Sequence, residues 1–154
     1  MHPAWAAFGT SRYRDRVPPR SEPVDARADR AVQGALAVLT LGAFVFRVAW
    51  LIPILALLVG VGAALGPERN PLHVLFTTAV GPRLRPGPAT VPAETVRSQD
   101  MLAFGLLAVA TLCLLIGLGG FAWILAVVEG LIAAVAATTG LHLGVWIRDQ
   151  LRRR

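Results

Sequence analysis

The sequence has 154 residues, a formal net charge of +6, 55% hydrophobic residues and only 16% charged residues. This composition, with a mean hydropathy of +0.61, argues against a soluble globular domain. A single cysteine, Cys113, excludes an internal disulfide and a cysteine-rich metal centre.

Two long apolar segments separate three polar ones. The first, residues 31–66, has Arg47 as its one charged residue, and the second, residues 101–147, has Glu129. As one helix the first segment would extend about 54 Å, nearly twice the ~30 Å hydrocarbon core of a bilayer. Each segment is therefore expected to fold back, at Arg47 and at Gly119-Gly120. The sequence predicts an all-α integral membrane protein, with four transmembrane helices arranged as two hairpins at about 31–46, 48–66, 101–118 and 121–141.

The polar segments flank this membrane domain, residues 31–147. Residues 1–30 contain prolines and mixed charges, which predict a disordered, basic cytoplasmic tail. In the middle cytoplasmic loop, 67–100, Asn70-Pro71 is a typical helix start, so a short interfacial helix is predicted over about 71–80, ending at Gly81-Pro82. Residues 148–154 form a second basic tail.

The arginines indicate an orientation. Fourteen of them lie in the two tails and the middle loop, and only Arg47 lies in the other connections. The positive-inside rule then predicts a plasma (inner) membrane protein with both termini in the cytoplasm. Trp50 and Trp123 are expected to anchor the outer interface and Trp146 the inner one. The basic residues are expected to meet anionic lipid rather than nucleic acid, because no aromatic platform for bases accompanies them.

Two spans carry small residues at every fourth position, which permits close helix packing in lipid. In the fourth span these are Ala122, Ala126, Gly130, Ala134 and Thr138, and in the second span they are Ala56, Gly60 and Ala64. We expect the second and fourth spans to pack against each other.

The isolated charges of the apolar segments, Glu129 and Arg47, are the candidate intramembrane ionisable residues. Glu129 lies about 9 Å inside Trp123, where an ionised carboxylate is costly. One hypothesis is a proton- or cation-linked site. The other, which we favour from the sequence, is a structural carboxyl that is protonated or paired with Arg47, since no second intramembrane ionisable residue is evident. His142, near the inner end of the fourth span, is a weak metal candidate, because the other histidines offer no ligand spacing.

Enzyme motifs do not occur. The sequence has no phosphate-binding loop, no G-x-S-x-G and no H-E-x-x-H, and it therefore predicts neither an enzyme nor a cofactor. It also indicates no small-molecule substrate.

Several short motifs occur in the order of a known family. They are Val24-Asp25-Ala26-Arg27 with Arg30 and Gln33, Gly66-Pro67 followed by Asn70-Pro71-Leu72, and Trp123 entering a last span that ends in Thr139-Gly140. The chain resembles the bacterial domain-of-unknown-function 4395 family, small four-span membrane proteins common in actinobacteria. The resemblance implies a thiol or sulfur-redox role where members carry C-x-G-C after that glycine. Here the stretch is His142-Leu143-Gly144-Val145, and Arg97 is what remains of the family's Arg-Phe-Ala-Gln.

Three functional hypotheses follow. The first, favoured from the sequence, is a non-enzymatic membrane subunit or scaffold that docks a membrane or cytoplasmic protein partner. The second is a small proton- or cation-linked transporter that uses Glu129. The third is a diverged redox-associated membrane protein that lacks the family dithiol.

Overall fold

A computed structural model describes residues 23–79 and 89–140 of the chain. Its helices are α1 (Ala26–Val45), α2 (Leu51–Leu65), α3 (Pro71–Ala79), α4 (Ala93–Leu115) and α5 (Gly119–Thr139), with a 3-10 turn at Pro67–Arg69. Two short strands, β1 (Val24–Asp25) and β2 (Thr90–Val91), pair antiparallel with Val24 opposite Val91. The predicted all-helical class is confirmed, and the strand pair is an addition to it.

Capping residues determine where two of the helices begin. The Asp25 carboxylate accepts a hydrogen bond of 2.8 Å from the backbone N–H of Arg27 at the start of α1. The Asn70 side chain accepts one of 3.0 Å from the N–H of Leu72 at the start of α3. Each bond satisfies an N–H group that the first helical turn leaves unpaired. The predicted start at Asn70-Pro71 is therefore present, whereas Gly81-Pro82 lies outside the described residues.

The turns between helices are short. Arg47 lies in the first turn, between α1 and α2, which is where its isolated charge predicted a turn. Its φ is 55°. The second turn, between α4 and α5, contains Gly117 with φ of 82°, a conformation that glycine adopts without strain. Gly119 and Gly120 are the first residues of α5. The predicted break at Gly119-Gly120 was therefore two to three residues too late.

Helices α1, α4 and α5 are long and apolar enough to cross a membrane. Helix α2 is also apolar but has 15 residues, about 22 Å of helix. Both α1 and α4 begin before the predicted spans, at Ala26 rather than 31 and at Ala93 rather than 101. The reason is that capping and turn residues, here Asp25 and Pro92, start a helix regardless of hydropathy.

The helices pack in a different order from the one predicted. Helix α1 packs against α5, α4 packs against both α2 and α5, and α2 makes few contacts with α5. The expectation that the second and fourth spans are close partners was therefore wrong. Gly130 of α5 leaves room for Leu41 of α1, and Gly60 of α2 leaves room for Phe104 of α4. Each of these glycines accommodates a large side chain of another helix. A row of small residues shows that a helix can be approached closely, but it does not show which helix approaches it.

The small residues differ in burial. Ala122, Ala126, Gly130 and Ala56 are buried, Gly60 and Ala134 are half-buried, and Ala64 and Thr138 are exposed. Much of the core is alanine, whereas large apolar side chains such as Leu57 and Leu112 are exposed, at 70% and 59%. Small residues inside and large apolar residues outside are typical of a helix bundle in lipid.

The two ends of the bundle differ in character. The hairpin end contains the α1–α2 and α4–α5 turns, and the polar end contains the starts of α1 and α4 and the end of α5. At the hairpin end Trp50 is 66% exposed, whereas Trp123 is half-buried with its ring 5.8 Å from that of Phe44. Trp146 lies outside the described residues.

Candidate functional site

Among the described residues, the interior of the bundle contains eight buried polar side chains, which we call the buried polar set. They are Asp29, Gln33 and Thr40 of α1, Asn70 before α3, His73 of α3, Gln99 and Asp100 of α4, and Glu129 of α5. Each is at most 5% exposed. Polar and ionisable groups are costly inside a membrane bundle and usually have a function there.

Three carboxylates of this set lie at increasing depth from the polar end. Asp29 is three residues from the start of α1, Asp100 is seven residues from the start of α4, and Glu129 is ten residues from the end of α5. At 1.5 Å per residue Asp29 lies about 5 Å along α1, whereas Glu129 is level with Thr40, about 21 Å along the same helix, because Gly130 lies against Leu41. We call these residues the carboxylate series, and it extends from the polar end to the middle of α5.

The members of the carboxylate series interact through their charges. Asp100 lies within Coulombic range of Asp29, and Glu129 lies within Coulombic range of Asp100. The Asn70 side-chain amide donates a hydrogen bond of 3.0 Å to Oδ2 of Asp100. Asp100 is therefore the central member of the series, and Asn70 orients its carboxylate.

Gly62 of α2 leaves the space in which Asn70 and Asp100 meet. A Cβ atom added at Gly62 would lie 2.5 Å from both Asn70 Nδ2 and Asp100 Oδ2. Such a distance requires one of the two side chains to move. The hydrogen bond between them therefore depends on a glycine at this position.

We expect Gly62→Ala to destabilise the protein. Overpacking costs about 1–3 kcal/mol, which outweighs the gain of about 1 kcal/mol in helix propensity. Gly105→Ala is the matched control, because a Cβ at Gly105 has no atom within 4 Å. Thermal unfolding in detergent measures both variants, and equal midpoints for the two would contradict the expectation.

Glu129 is fully buried, and neither of its carboxylate oxygens has a hydrogen-bond partner among the described residues. Arg47 does not supply one, because its guanidinium lies 5.3 Å from the centre of the Phe44 ring and 5.9 Å from that of Trp123. The predicted pairing of Glu129 with Arg47 is therefore wrong. The reason is that the aromatic rings at the hairpin end bind the arginine by cation–π interaction.

Two further side chains of α1 present unpaired oxygens to the interior. Oε1 of Gln33 and Oγ1 of Thr40 are buried and have no hydrogen-bond partner within residues 23–79 and 89–140. Gly130, next to Glu129, lies against Leu41, next to Thr40, so Thr40 and Glu129 lie at similar depths. Buried oxygens of this kind are normally hydrogen-bonded to water or to a bound species.

A cavity of about 230 Å³ lies at the polar end. Its polar lining includes Asp25, Glu68, His73 and Thr77, and its apolar lining includes Ala28 and Val74. His73 therefore contacts the cavity and also belongs to the buried polar set. Burial lowers the pKa of its imidazole below the ordinary value of 6.5, so His73 is neutral at pH 7.

His73 is expected to make the protein less stable in mild acid. Below about pH 6.5 the unfolded chain binds a proton at His73 that the folded chain does not. The free energy of unfolding therefore falls as the pH decreases through this value, and the His73→Gln variant should show a smaller fall. Thermal unfolding between about pH 8 and pH 5 provides the comparison, and identical pH dependence in both proteins would contradict it.

The described residues do not favour a metal site. In residues 23–79 and 89–140, no three His, Cys, Asp or Glu side chains are grouped so as to hold a metal ion. Cys113 is buried in the apolar core. The weak metal candidate His142 lies outside the described residues.

Sequence reasoning identified Glu129 but missed Asp29, Gln33, Gln99 and Asp100. Asp29, Gln99 and Asp100 lie next to the apolar segments, so a hydropathy pattern assigns them to the polar flanks, and Gln33 is an uncharged residue at the start of the first segment. One signal was available, because Asp29, Gln33 and Thr40 lie on the same side of one helix as the apolar Leu36. The argument that Glu129 has no second ionisable residue near it was therefore wrong.

The described features are those of an all-helical protein with three helices apolar enough to cross a membrane and with a buried polar interior. The chain belongs to the family described as domain of unknown function (DUF4395), whose model matches residues 24–153. The resemblance drawn from its sequence motifs is thereby confirmed. No curated protein and no solved structure matches the chain.

Proposed function

We propose that the chain is a small proton-linked transporter of the plasma membrane, in which Glu129 binds and releases the transported proton. The observation that carries the proposal is the environment of Glu129, which has no exposure and no hydrogen-bond partner for either oxygen among the described residues. An ionised carboxylate there would lack both water and hydrogen bonds, which is costly. Glu129 is therefore neutral at rest and loses its proton when water or a neighbouring group reaches it.

The carboxylate series supplies a route for the proton. Asp29 lies about 5 Å along α1 and Glu129 lies level with a point about 21 Å along the same helix, with Asp100 between them and within Coulombic range of both. Chains of acidic residues in a membrane interior are typical of proton pathways. The unpaired oxygens of Gln33 and Thr40 are suited to hold the water molecules that connect such groups.

The proposed topology has four spans with both termini in the cytoplasm. The arginine count of fourteen against one favours this orientation, and it places the polar end at the cytoplasmic surface. Helix α2, at about 22 Å, would span by local thinning of the bilayer. The lipid bilayer is then the partner of the exposed apolar surface, and no enzymatic reaction is assigned.

The scaffold hypothesis loses its main support. It relied on the small-residue rows and on the basic cytoplasmic segments as docking surfaces, but Ala122, Ala126 and Gly130 of the rows are buried within this chain. The redox hypothesis has no new support, since Cys113 is buried and residues 142–145 lie outside the described part.

Proton flux into vesicles tests the proposed function. The purified protein is reconstituted into liposomes that contain a pH-sensitive dye, the external medium is acidified, and potassium with valinomycin balances the charge. Wild-type vesicles should acidify faster than protein-free vesicles, and Glu129→Gln should abolish the difference. Glu94→Gln is the matched control, because Glu94 is exposed in the first turn of α4. Equal rates in wild-type and Glu129→Gln vesicles, or in wild-type and protein-free vesicles, would overturn the proposal.

A further inference from the structure

We infer that the Thr40 hydroxyl donates a hydrogen bond to Glu129 when Glu129 loses its proton, and that this bond stabilises the charge that remains. Thr40 is therefore a positioning residue of the proton site, and it acts through Glu129. The hydrogen bond itself depends only on how α1 packs against α5. Its part in transport rests on the proposed function.

Thr40 differs from the other threonines that lie beyond the first turn of a described helix. The others donate their hydroxyl proton to the carbonyl oxygen four residues earlier in the same helix, over 2.7–2.9 Å, and they are Thr77, Thr78, Thr111, Thr138 and Thr139. Such a bond within one helix is common for threonine. The Thr40 hydroxyl is buried but has no hydrogen-bond partner among the described residues. It is therefore able to donate to another side chain.

Two contacts fix the register of α1 against α5, which run in opposite directions. A Cβ atom added at Gly34 would lie 3.8 Å from Cβ of Ala137, and one added at Gly130 would lie 3.6 Å from the backbone nitrogen of Leu41. The two contacts are about two helical turns apart on each helix. The helices therefore keep one antiparallel register between these contacts.

Thr40 and Glu129 lie at the same level of this interface. Each directly precedes one partner of the second contact, and both are fully buried. Because the helices are antiparallel, the two Cα atoms are offset by only about 3 Å along the helix axes. Residues 36–44 of α1 and 125–133 of α5 include no other polar side chain, and α2 has none. These segments therefore offer Glu129 one hydrogen-bonding side chain, that of Thr40.

A hydroxyl group suits a carboxyl that releases a proton, because its O–H can donate to the carboxylate that is left. At rest the oxygens of both groups lack a partner among the described residues. When the proton passes to a water molecule on the way to Asp100, rotation of the Glu129 side chain brings the carboxylate to the Thr40 hydroxyl. A hydrogen bond to a charged group is about twice as strong as a neutral one. The bond therefore offsets part of the cost of the buried charge while the proton is away.

Infrared spectroscopy of the purified protein in detergent tests the hydrogen bond without measuring transport. The bands that Glu129→Gln removes identify the Glu129 carboxyl, as the protonated form in acid and as the carboxylate in alkaline medium. Thr40→Val replaces the hydroxyl by a methyl group of similar size, and it should shift the carboxylate bands while leaving the protonated band in place. Thr40→Ser keeps the hydroxyl and should give the wild-type bands. Identical carboxylate bands in the wild type and Thr40→Val would overturn the inference.

Proton flux into liposomes tests the part that Thr40 plays in transport. Thr40→Val should reduce the flux at least about tenfold, as expected for the loss of a hydrogen bond to a charged group, and Thr40→Ser should retain it. Thr111→Val is the matched control, because the half-buried Thr111 donates to the carbonyl oxygen of Leu107 in its own helix. Wild-type flux in Thr40→Val would overturn the role of Thr40 alone. Shifted carboxylate bands without any wild-type flux would overturn the transport function and leave the hydrogen bond standing.

Discussion

The Glu129→Met variant is expected to unfold at a higher temperature than the wild type and to lose proton flux completely. Methionine has a similar length and needs no hydrogen bond, whereas both oxygens of Glu129 are buried without a partner among the described residues. Removing an unsatisfied buried polar group stabilises a protein by about 1–3 kcal/mol. Thermal unfolding in detergent and proton flux in liposomes measure the two effects on the same preparation.

A variant that is more stable but inactive would show that the Glu129 carboxyl serves function rather than stability. If Glu129 served only to hold helices together, its replacement by methionine would lower the unfolding temperature. Glu94→Met is the control for flux, and it should leave proton flux unchanged, because Glu94 is exposed at the start of α4 and lies outside the carboxylate series. A destabilised Glu129→Met variant with normal flux would contradict the proposed function directly.

The Gly130→Leu variant is expected to lose much of its stability even when no other protein is present. A Cβ atom at position 130 would lie 2.8 Å from Cγ and Cδ2 of Leu41, and leucine adds three more carbon atoms. Because Leu41 is on α1, the substitution forces apart the α1–α5 pair. Overpacking of this extent costs about 3 kcal/mol, the upper end of the usual range.

Gly105→Leu is the matched control for Gly130→Leu. Gly105 is exposed on α4 and has no atom within 4 Å of an added Cβ, so a leucine there should be tolerated. Unfolding of both variants in detergent, followed by size-exclusion chromatography, provides the measurement. A Gly130→Leu protein that is as stable as Gly105→Leu but fails to assemble with a partner would revive the scaffold hypothesis.

Much of the local structure follows from the sequence. Glu129 and Arg47 stand out because they interrupt apolar segments, and Arg47 lies at the predicted turn. Asn70-Pro71 begins α3 as expected, because a side-chain cap and a following proline act within a few residues. The second turn was placed slightly wrong, because three of four consecutive residues, from Gly117 to Gly120, are glycine and a pattern cannot say which adopts a positive φ.

The burial of the polar side chains did not follow from the sequence. Asp29 and Asp100 flank apolar segments, where hydropathy assigns charged residues to water. They are buried, at 1% and 2% exposure, because α1 and α4 extend beyond those segments and neighbouring elements cover them. Asp100 is covered by Asn70, thirty positions earlier in the chain.

The sequence by itself determined that this chain is helical, that its long helices are apolar enough to cross a membrane and that Glu129 is exceptional, because helix formation and hydropathy depend mainly on nearby residues. It did not determine that α5 packs on α1 rather than α2, or that Asp29, Asp100 and Glu129 form one series. Those features depend on which helix covers which face. Leu41 against Gly130 and Phe104 against Gly60 decide that arrangement, and such contacts join residues far apart in the chain.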